Sequence, residues 1–305
     1  MTSSSEPVRF SVVVASVEAA ATIRACLESI ATSCAHIDHE VIVVDSSRDD
    51  SAAIAARSLP AATIVRHGSA LLVPNLWAAG IESARGSVVA LTTANFQVSE
   101  GWAEALLSAL GDSVAGVGGM IALADDVSVT DAAVFFLRYS AYIPSGSTTI
   151  SETRDFAGDN CCYLRSALKN GTWSVEHGFW ETEENTALRK AGHRLVMNPD
   201  AKAIFLGGMT LGAFSRQRFA HAVLFGDWRA RVNGESRARI IAAAPLVPFI
   251  LALRIAKRAW RISEYRSPLI GSMPVLLWLA ACWAAGEAAG ALRSGSRASK
   301  GLAAA

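Results

Sequence analysis

Short apolar runs alternate with helical patterns in the first part of this sequence, and this alternation limits the fold more than any other feature. The runs are rich in valine and isoleucine, which is typical of strands buried on both faces of a parallel sheet. We therefore predict a doubly wound, mostly parallel α/β sheet. The predicted strands cover residues 9–15, 40–44, 63–65, 88–91 and 114–121, and the helices cover residues 22–31, 51–58, 73–84 and 100–110.

The pattern is less regular further along. We expect residues 125–151 to be less regular, with a segment around 142–149 that is either mobile or faces an acceptor. Residues 155–163 predict a turn into a strand, and residues 195–205, which contain a proline, predict a short strand pair. A basic amphipathic helix is predicted for residues 211–232.

Polar residues stand at the ends of two predicted strands. In an open α/β sheet, ligands bind just past the carboxyl ends of the strands. Asp45 ends the second strand, where a carboxylate can accept hydrogen bonds from a ribose or a base edge. A helix cap is the alternative for Asp45, but Asp49 and Asp50 are better placed to cap the next helix. The turn after the fourth strand, at residues 92–95, has no carboxylate.

Two carboxylates, Glu181 and Glu183, follow Trp180 in a predicted loop just before a helix predicted at residues 185–191. One can act as a general base and the other can orient it, since a neighbouring tryptophan or like charge raises a carboxyl pKa. An acidic first turn that only complements the helix dipole is the alternative. Asp159 and Asn160 predict either a polar ligand site, such as a sugar site, or a tight turn.

Two arginines, Arg216 and Arg218, lie on the predicted basic helix. Their guanidinium groups can reach a diphosphate, and a membrane-facing surface explains them equally well. The five cysteines have no metal-ligand spacing, so we interpret them as reduced and mostly buried.

The C-terminal part is unusually apolar, and it raises the mean hydropathy of the chain to +0.31. Residues 240–253 and 268–286 are apolar runs, and basic residues flank both of them. We predict membrane association, by spanning or by dipping into the bilayer; two apolar helices packed on a soluble domain are the alternative. With a net charge of only +1, the chain lacks the excess of positive charge that is typical of nucleic-acid-binding proteins. We predict two domains, residues 1–235 and 236–305.

These motifs together resemble family 2 glycosyltransferases of the GT-A fold, over roughly residues 10–231. The segments that carry the resemblance are SVVVASVEAAATIRACLESI, EVIVVDSSRDD, AAGIESARGSVVAL, AGDNCCYLRSAL and WETEENTALRKAGHRLVMNPDA. The family is inverting and uses a nucleotide-diphosphate sugar. The apolar C-terminal part is similar to membrane segments found on many such transferases.

The resemblance also implies roles for individual residues. Glu181 matches the catalytic base of the family, and Glu183 matches the acid after it. The implied donor-binding residues are Ala15, Glu18, Asp45, Asn95, Arg216 and Arg218. The implied acceptor-binding residues are Asp159, Asn160 and Trp180.

The sequence departs from the family at its metal motif. The two carboxylates of the DxD motif fall on Thr93 and Asn95, and Asn95 offers only a neutral carbonyl. The family usually binds Mg²⁺ or Mn²⁺ at this motif. Because hard divalent cations prefer charged oxygen ligands, we assign no metal-binding residue and leave the cofactor open. Glu18 stands where an asparagine is common, and Trp77 stands where an arginine often assists the donor.

From these features we expect a membrane-associated inverting glycosyltransferase on the cytoplasmic face. Its partners would be a nucleotide-sugar donor, a lipid-linked or glycan acceptor and the membrane, with no nucleic acid. The alternative is a catalytically inactive GT-A-like scaffold, or a glycan-binding partner of another glycosyltransferase.

Overall fold

The computed structural model describes residues 9–68, 71–111, 113–144, 146–168, 173–231 and 234–302, the last nine without their side chains. The chain divides into two compact units. The first comprises the residues up to Asp125 together with Tyr142–Gly208, and the second comprises Asp126–Ala141 and the residues from Met209 on. These units do not coincide with the predicted division after residue 235, which concerns independently folding domains and stays a prediction.

Nine strands of the described residues form one sheet in the first unit. They are β1 (Phe10–Ser16), β2 (His39–Asp45), β3 (Thr63–Arg66), β4 (Val88–Thr93), β5 (Phe96–Val98), β6 (Val114–Leu123), β7 (Ser151–Glu152), β8 (Asn160–Leu164) and β9 (Arg194–Phe205). Their order is β3-β2-β1-β4-β8-β6-β9-β5, and β7 pairs with β9.

The helices of the described residues follow in chain order. They are α1 (Ile23–Ser33), α2 (Ser51–Ser58), α3 (Val73–Ser83), α4 (Trp102–Ser108), α5 (Val129–Tyr139), α6 (Arg165–Leu168), α7 (Glu181–Lys190), α8 (Leu211–Arg231), α9 (Arg237–Ala243), α10 (Val247–Ala259) and α11 (Arg266–Leu302). Short 3-10 turns at Ala244–Leu246 and Ser263–Tyr265 lie before α10 and α11.

The sheet is doubly wound and mostly parallel, as predicted. Strand β1 pairs in parallel with β2 and β4, and β6 pairs in parallel with β9. Every residue of β1 is buried, because valines on both faces of the strand are covered. The exception that matters for function is β8, which lies antiparallel between β4 and β6 and so carries its first residues to the carboxyl end of β4.

One local prediction is incomplete and another is wrong. The stretch predicted to be less regular, residues 125–151, also contains the helix α5, whose N-cap Ser128 accepts a hydrogen bond from the Asp131 backbone N–H at 3.1 Å; residue 145 lies outside the described residues. The predicted strand pair at 195–205 is the single strand β9. Its register against β6 shifts between Gly119 and Met120, and this irregularity accommodates Pro199.

The second unit is helical, and small residues bring α8 and α11 close together. A Cβ atom on Gly226 would lie 2.1 Å from the Glu287 carbonyl oxygen, and one on Gly286 would lie 2.4 Å from the Phe219 carbonyl oxygen. The α8 helix exposes Leu224 and buries Phe214, so apolar residues occur on more than one face. It is therefore less amphipathic than predicted. Val232, its predicted last residue, lies outside the described residues.

Two stretches of the second unit are long and apolar enough to cross a membrane. They are Arg237–Ala259, which contains an 18-residue window with a mean hydropathy of 1.9, and Ser263–Arg293, which contains one with a mean hydropathy of 1.7. Within the second stretch the buried carboxylate of Glu287 pairs with the Arg229 guanidinium of α8. The charge of Glu287 is therefore compensated inside the unit.

Candidate functional site

The register of the sheet brings three strand ends to one edge. Ser16 at the end of β1 lies opposite Asp45 at the end of β2, and Ala15 lies opposite Thr93 at the end of β4. The Ala94 backbone N–H donates to the Ala15 carbonyl at 2.9 Å. The predicted donor residues Ala15 and Asp45 therefore lie beside the Thr93 turn, as expected for the carboxyl edge of an α/β sheet.

Asp45 is fully buried and only partly hydrogen-bonded. Its Oδ1 accepts from Ser47 Oγ at 2.7 Å, and Arg66 Nε lies 3.7 Å from Oδ2. Among the described residues, Oδ2 has no hydrogen-bond partner. Since a buried, unsatisfied carboxylate oxygen is costly, Asp45 is well suited to accept hydrogen bonds from a ligand.

The capping role that was the alternative for Asp45 belongs to Asp49. Asp49 Oδ1 accepts from the Ser51 backbone N–H at 3.0 Å, at the start of α2, and Oδ2 accepts from the Ala20 N–H at 3.0 Å. Burial opposes ionisation of Asp49, but the hydrogen bonds from Ser51 and Ala20 outweigh it and lower its pKa. Asp49 thus holds the loop after β1 against the start of α2.

Ser47 organises the same loop, and sequence reasoning missed it. Besides Asp45, it contacts Glu18, whose backbone N–H donates to Ser47 Oγ at 2.9 Å. Glu18 has φ +49°, a left-handed conformation that costs most residues free energy but suits asparagine and glycine. Its Oε1 accepts from the Arg48 backbone N–H at 2.9 Å. This hydrogen bond helps to hold Glu18 in a position that asparagine would fill with less strain.

The turn at Thr93 to Asn95 does not fit a divalent cation. Asn95 is buried, and its Nδ2 donates to the Gly207 carbonyl at 2.8 Å. The nearby carboxylate is Asp159, whose Oδ1 accepts from Thr93 Oγ1 at 3.3 Å. In the part of the chain that the structure describes, no three acidic, histidine or cysteine side chains cluster as metal ligands. We therefore derive no chemical step through a metal.

Asp159 and Asn160 separate in role. Asp159 is buried beside Thr93, at the carboxyl end of β4. The Asn160 amide donates to the carbonyls of Met120 at 2.9 Å and Ala201 at 3.0 Å, and its oxygen accepts from Trp102 Nε1 at 2.7 Å. Both N–H groups of Asn160 are thus used inside the core. We assign Asn160 a structural role in place of the predicted acceptor contact.

The acidic first turn of α7 lies next to this edge. Glu181 is half-buried at the helix start, and a Cβ atom on Gly158 would lie 3.4 Å from its Cβ. The same Cβ would lie 2.7 Å from the Trp77 ring, so only glycine fits between the two side chains. Trp77 is a core residue whose Nε1 donates to the Thr92 carbonyl at 2.9 Å. Glu181 therefore packs against Gly158, the residue before Asp159.

Glu183 and Trp180 face a different neighbour. Glu183 Oε2 lies 3.2 Å from His177 Nε2, and both side chains are 53% exposed. Trp180 Nε1 donates to the His177 carbonyl at 3.0 Å. These contacts fold the loop before α7 against its first turn. Glu183 is the solvent-facing acid of the pair, and Glu181 is the one packed toward the sheet edge.

Asp155 fixes the position of this helix start, and no pattern in the sequence pointed to it. Its Oδ1 accepts from Asn185 Nδ2 at 2.6 Å, and its Oδ2 accepts from Thr182 Oγ1 at 3.2 Å. The Asn185 oxygen accepts in turn from the Tyr163 hydroxyl at 2.9 Å. Burial, with Cys161 and Glu181 nearby, raises the pKa of Tyr163 well above its usual value. The phenol is therefore a permanent donor in this chain of hydrogen bonds.

The thiol behind the site is inert for the same reason. Burial raises the pKa of Cys161 well above its usual value, and Cys162, Glu181 and Asp159 add to the effect. A neutral thiol is a poor nucleophile and a poor metal ligand. Cys161 is therefore not a candidate for a chemical role at this edge.

Arg216 and Arg218 lie in the second unit, on α8. Arg216 is exposed, whereas Arg218 stacks on Trp283 with its guanidinium carbon 4.1 Å from the ring centroid. Burial and the charge of Arg138 lower the pKa of Arg218 to about 10, so it stays cationic at neutral pH. Their predicted contact with a donor diphosphate stays a prediction.

Comparison with known proteins agrees with this geometry. The family model described as "Glycosyl transferase family 2" matches residues 11–172. Mannosyltransferase PcManGT from Pyrobaculum calidifontis, solved in complex with GDP-Man and Mn²⁺, superimposes with a TM-score of 0.53 at 18% identity, covering 95% of this chain and 75% of that one.

A second solved structure, TarS of S. aureus, has a TM-score of 0.50 at 11% identity, covering 88% of this chain and 55% of that one. At such identities these likenesses establish the fold alone. No curated protein matches the chain. Since the family model covers more than half of its 305 residues, the chain belongs to glycosyl transferase family 2, and it is a nucleotide-sugar glycosyltransferase with a GT-A fold.

Proposed function

We propose that the chain is an inverting glycosyltransferase that works at the cytoplasmic face of a membrane and transfers a sugar to a lipid-linked or polysaccharide acceptor. The observation that carries the proposal is the meeting of three groups at one sheet edge. These groups are Asp45 with its unsatisfied oxygen, Asp159 beside Thr93, and Glu181 at the start of α7.

The proposed reaction is a single displacement at the anomeric carbon. Glu181 accepts the proton of an acceptor hydroxyl, and the oxygen bonds to the anomeric carbon from the face opposite the leaving group. The bond from that carbon to the diphosphate breaks, and its electron pair leaves with the nucleoside diphosphate. The attack from the opposite face inverts the configuration.

Binding of the donor is assigned to the β1–β2 side of the edge. Asp45 would accept hydrogen bonds from the ribose or base through Oδ2. Glu18 and Ala15 would form the wall of the nucleoside pocket, since the loop after β1 is tied to Asp45 through Ser47. Asn95 and Asp159 would face the diphosphate and the sugar. Trp180 would present a ring on which a sugar of the acceptor can stack.

The membrane part of the proposal is supported by the second unit. Two stretches have the length and hydropathy of membrane spans. Basic residues lie before, between and after the apolar runs 240–253 and 268–286 within these stretches, at Arg237, Lys257 and Arg293 among others. Since positive charge favours the cytoplasmic side, we place the first unit on that side.

The test is donor turnover by full-length protein in membranes, across UDP-, GDP- and dTDP-sugars, with and without EDTA. We expect one donor to turn over and EDTA to leave the rate unchanged. Glu181→Gln should lower turnover by about 10²- to 10⁴-fold, the usual contribution of a general base. Glu176→Gln is the matched control, since Glu176 is an exposed glutamate of the preceding loop, and its activity should be that of the wild type.

Three results would contradict parts of this proposal. Full activity in Glu181→Gln would remove the assigned base. Activity lost with EDTA would mean that a metal is held by a set of ligands other than the one considered above. Folded protein that neither turns over nor binds any of the nucleotides, with acceptors present, would favour a scaffold role.

A further inference from the structure

One face of α10 is apolar and exposed. Leu246, just before the helix, and Phe249, Ile250 and Leu253 within it are 60%, 66%, 48% and 71% exposed. Their spacing of three and four residues places them in one stripe along the helix. The opposite face is buried in the second unit, at Pro248, Ala252, Ile255 and Ala259.

The same exposed face becomes cationic in its C-terminal half. Four side chains line a hollow of about 400 Å³, which we call the basic hollow: Arg254, Lys257, Arg258 and Arg261. All four are exposed. Among the described residues, none of the four is in a hydrogen bond or an ion pair with another side chain. Four positive charges thus surround one space without a carboxylate to compensate them.

Helix stability explains only part of this cluster. Cations in the last turn complement the helix dipole, and Lys257 and Arg258 occupy that turn. Arg254 lies a turn earlier, and Arg261 lies beyond the helix end at Ala259. Because like charges around one hollow repel each other, an anion with several acceptor oxygens would relieve the repulsion. Arginine forks match phosphate oxygens in geometry as well as in charge.

The neighbourhood of the hollow is that of a membrane interface. Trp260 is 50% exposed, and the Arg266 guanidinium lies 5.7 Å from its ring centroid. Exposed tryptophan and arginine are typical of the headgroup level. At 1.5 Å per residue, the apolar stripe and the basic hollow each extend for about 10 Å. The stripe therefore fits the acyl region while the hollow stays at the depth of the phosphates.

We propose that the basic hollow binds the phosphate of an anionic membrane lipid, with the apolar stripe of α10 set against the acyl chains. The inference rests on the membrane part of the proposed function. It adds a lipid site that is separate from sugar transfer. Charge complementarity and the continuous apolar stripe favour a lipid over a soluble phosphate, since a soluble anion has no acyl chain to contact the stripe.

The test is calorimetric titration of the full chain in nonionic detergent with dioctanoyl phosphatidic acid. Laurate supplies negative charge without phosphate, and inorganic phosphate supplies phosphate without acyl chains. Both should bind at least about tenfold more weakly. Each cation near a membrane surface contributes about fivefold in binding, so changing all four residues of the basic hollow to glutamine should weaken lipid binding by more than about 100-fold. The matched control removes four exposed charges from the first unit, at Arg24, Arg57, Arg189 and Lys190.

The outcomes separate this inference from the proposed function. Equal binding of laurate would reduce the hollow to general charge attraction, and equal binding of inorganic phosphate would make it a site for soluble anions. Unchanged lipid binding in the fourfold variant, with a wild-type circular dichroism spectrum, would overturn the inference. Flotation of the wild type with neutral vesicles tests membrane association itself. Protein that stays unbound there contradicts the membrane part of the proposed function, whereas sugar transfer is measured independently of either result.

Discussion

The strongest quantitative test concerns Asp155, which holds the first turn of α7. Its carboxylate accepts hydrogen bonds from Asn185 at 2.6 Å, from the Phe156 backbone N–H at 3.1 Å and from Thr182 at 3.2 Å. Hydrogen bonds to a charged group contribute about 1.5–3 kcal/mol each. Because Asp155 is only half-buried, we take the low end of that range. Counted at that low end, the two bonds to α7, from Asn185 and Thr182, amount to about 3 kcal/mol, and we expect Asp155→Ala to lower the free energy of unfolding by about that much.

The same substitution should also slow catalysis. Since Glu181 begins the helix that Asp155 anchors, its carboxylate should move by about 1 Å in Asp155→Ala, and misplacement of that size costs about 10²-fold in rate. The loss should fall on kcat and leave the KM for the donor unchanged, because Asp45 is not disturbed. Asp155→Asn keeps one acceptor oxygen, so it should recover part of the kcat.

The assay pairs urea denaturation with steady-state kinetics for both variants. Asp200→Asn is the matched control, since Asp200 is an exposed aspartate of the same unit, and it should behave as the wild type in both measurements. If Asp155→Ala lost stability but kept its kcat, the positioning role would be refuted and only a structural role would remain. A rise in the donor KM with unchanged kcat would place Asp155 in the donor site instead.

Three further predictions use other parts of the first unit. Gly119→Ala puts a Cβ atom 1.9 Å from the Ala201 carbonyl oxygen and should lower the free energy of unfolding by about 1–3 kcal/mol. A Cβ atom on Gly111 has no atom within 4 Å, so Gly111→Ala should change the free energy of unfolding by less than about 0.5 kcal/mol. If denaturation showed equal losses of stability for the two variants, the close contact of Gly119 with Ala201 would be contradicted. Asp45→Asn should raise the donor KM by about ten- to a hundredfold, with kcat little changed, because hydrogen bonds to a charged acceptor are lost; an unchanged KM would exclude the donor role. The lowered pKa of Asp49 stabilises the fold fully above the unfolded value of about 3.9, and this stability is lost as pH falls through the folded pKa. The difference in unfolding free energy between wild type and Asp49→Asn should therefore be constant above about pH 5 and shrink below about pH 4. A difference that grows on acidification would show that the pKa of Asp49 is raised in the folded state, and would contradict the prediction.

Local patterns predicted the parallel core of the fold closely. The predicted strands at 9–15 and 40–44 correspond to β1 and β2 within one residue at each end, because buried β-branched runs leave few alternatives. Helix α2 begins and ends where predicted. The missed helix α5 had a readable signal, since Ser128 and Asp131 form a reciprocal cap. That signal was lost among the polar residues around it.

Long-range pairing could not be predicted in the same way. Nothing local in residues 160–164 indicates that β8 is antiparallel and lies between β4 and β6, because that placement is decided by packing across the sheet. The edge position of Asp45 followed from its strand alone. The partnership of Asp155 with Asn185, thirty residues apart, depends on the folded arrangement. The same is true of the hydrogen bonds that commit Asn160 to the core.

The central position of β8 has a consequence for how this enzyme can diversify. The ten residues from Asp155 to Leu164 anchor α7 at one end and enter the middle of the sheet at the other. The neighbouring stretch 146–154 is largely exposed, and the stretch 173–180 is exposed at Ser174, Glu176 and His177. Mutations can therefore accumulate at those exposed positions while the segment that anchors α7 stays intact, and under the proposed function they are the mutations that would change the choice of acceptor. Substitutions inside the ten-residue segment would disturb both, so natural or laboratory selection for new acceptors should leave that segment untouched.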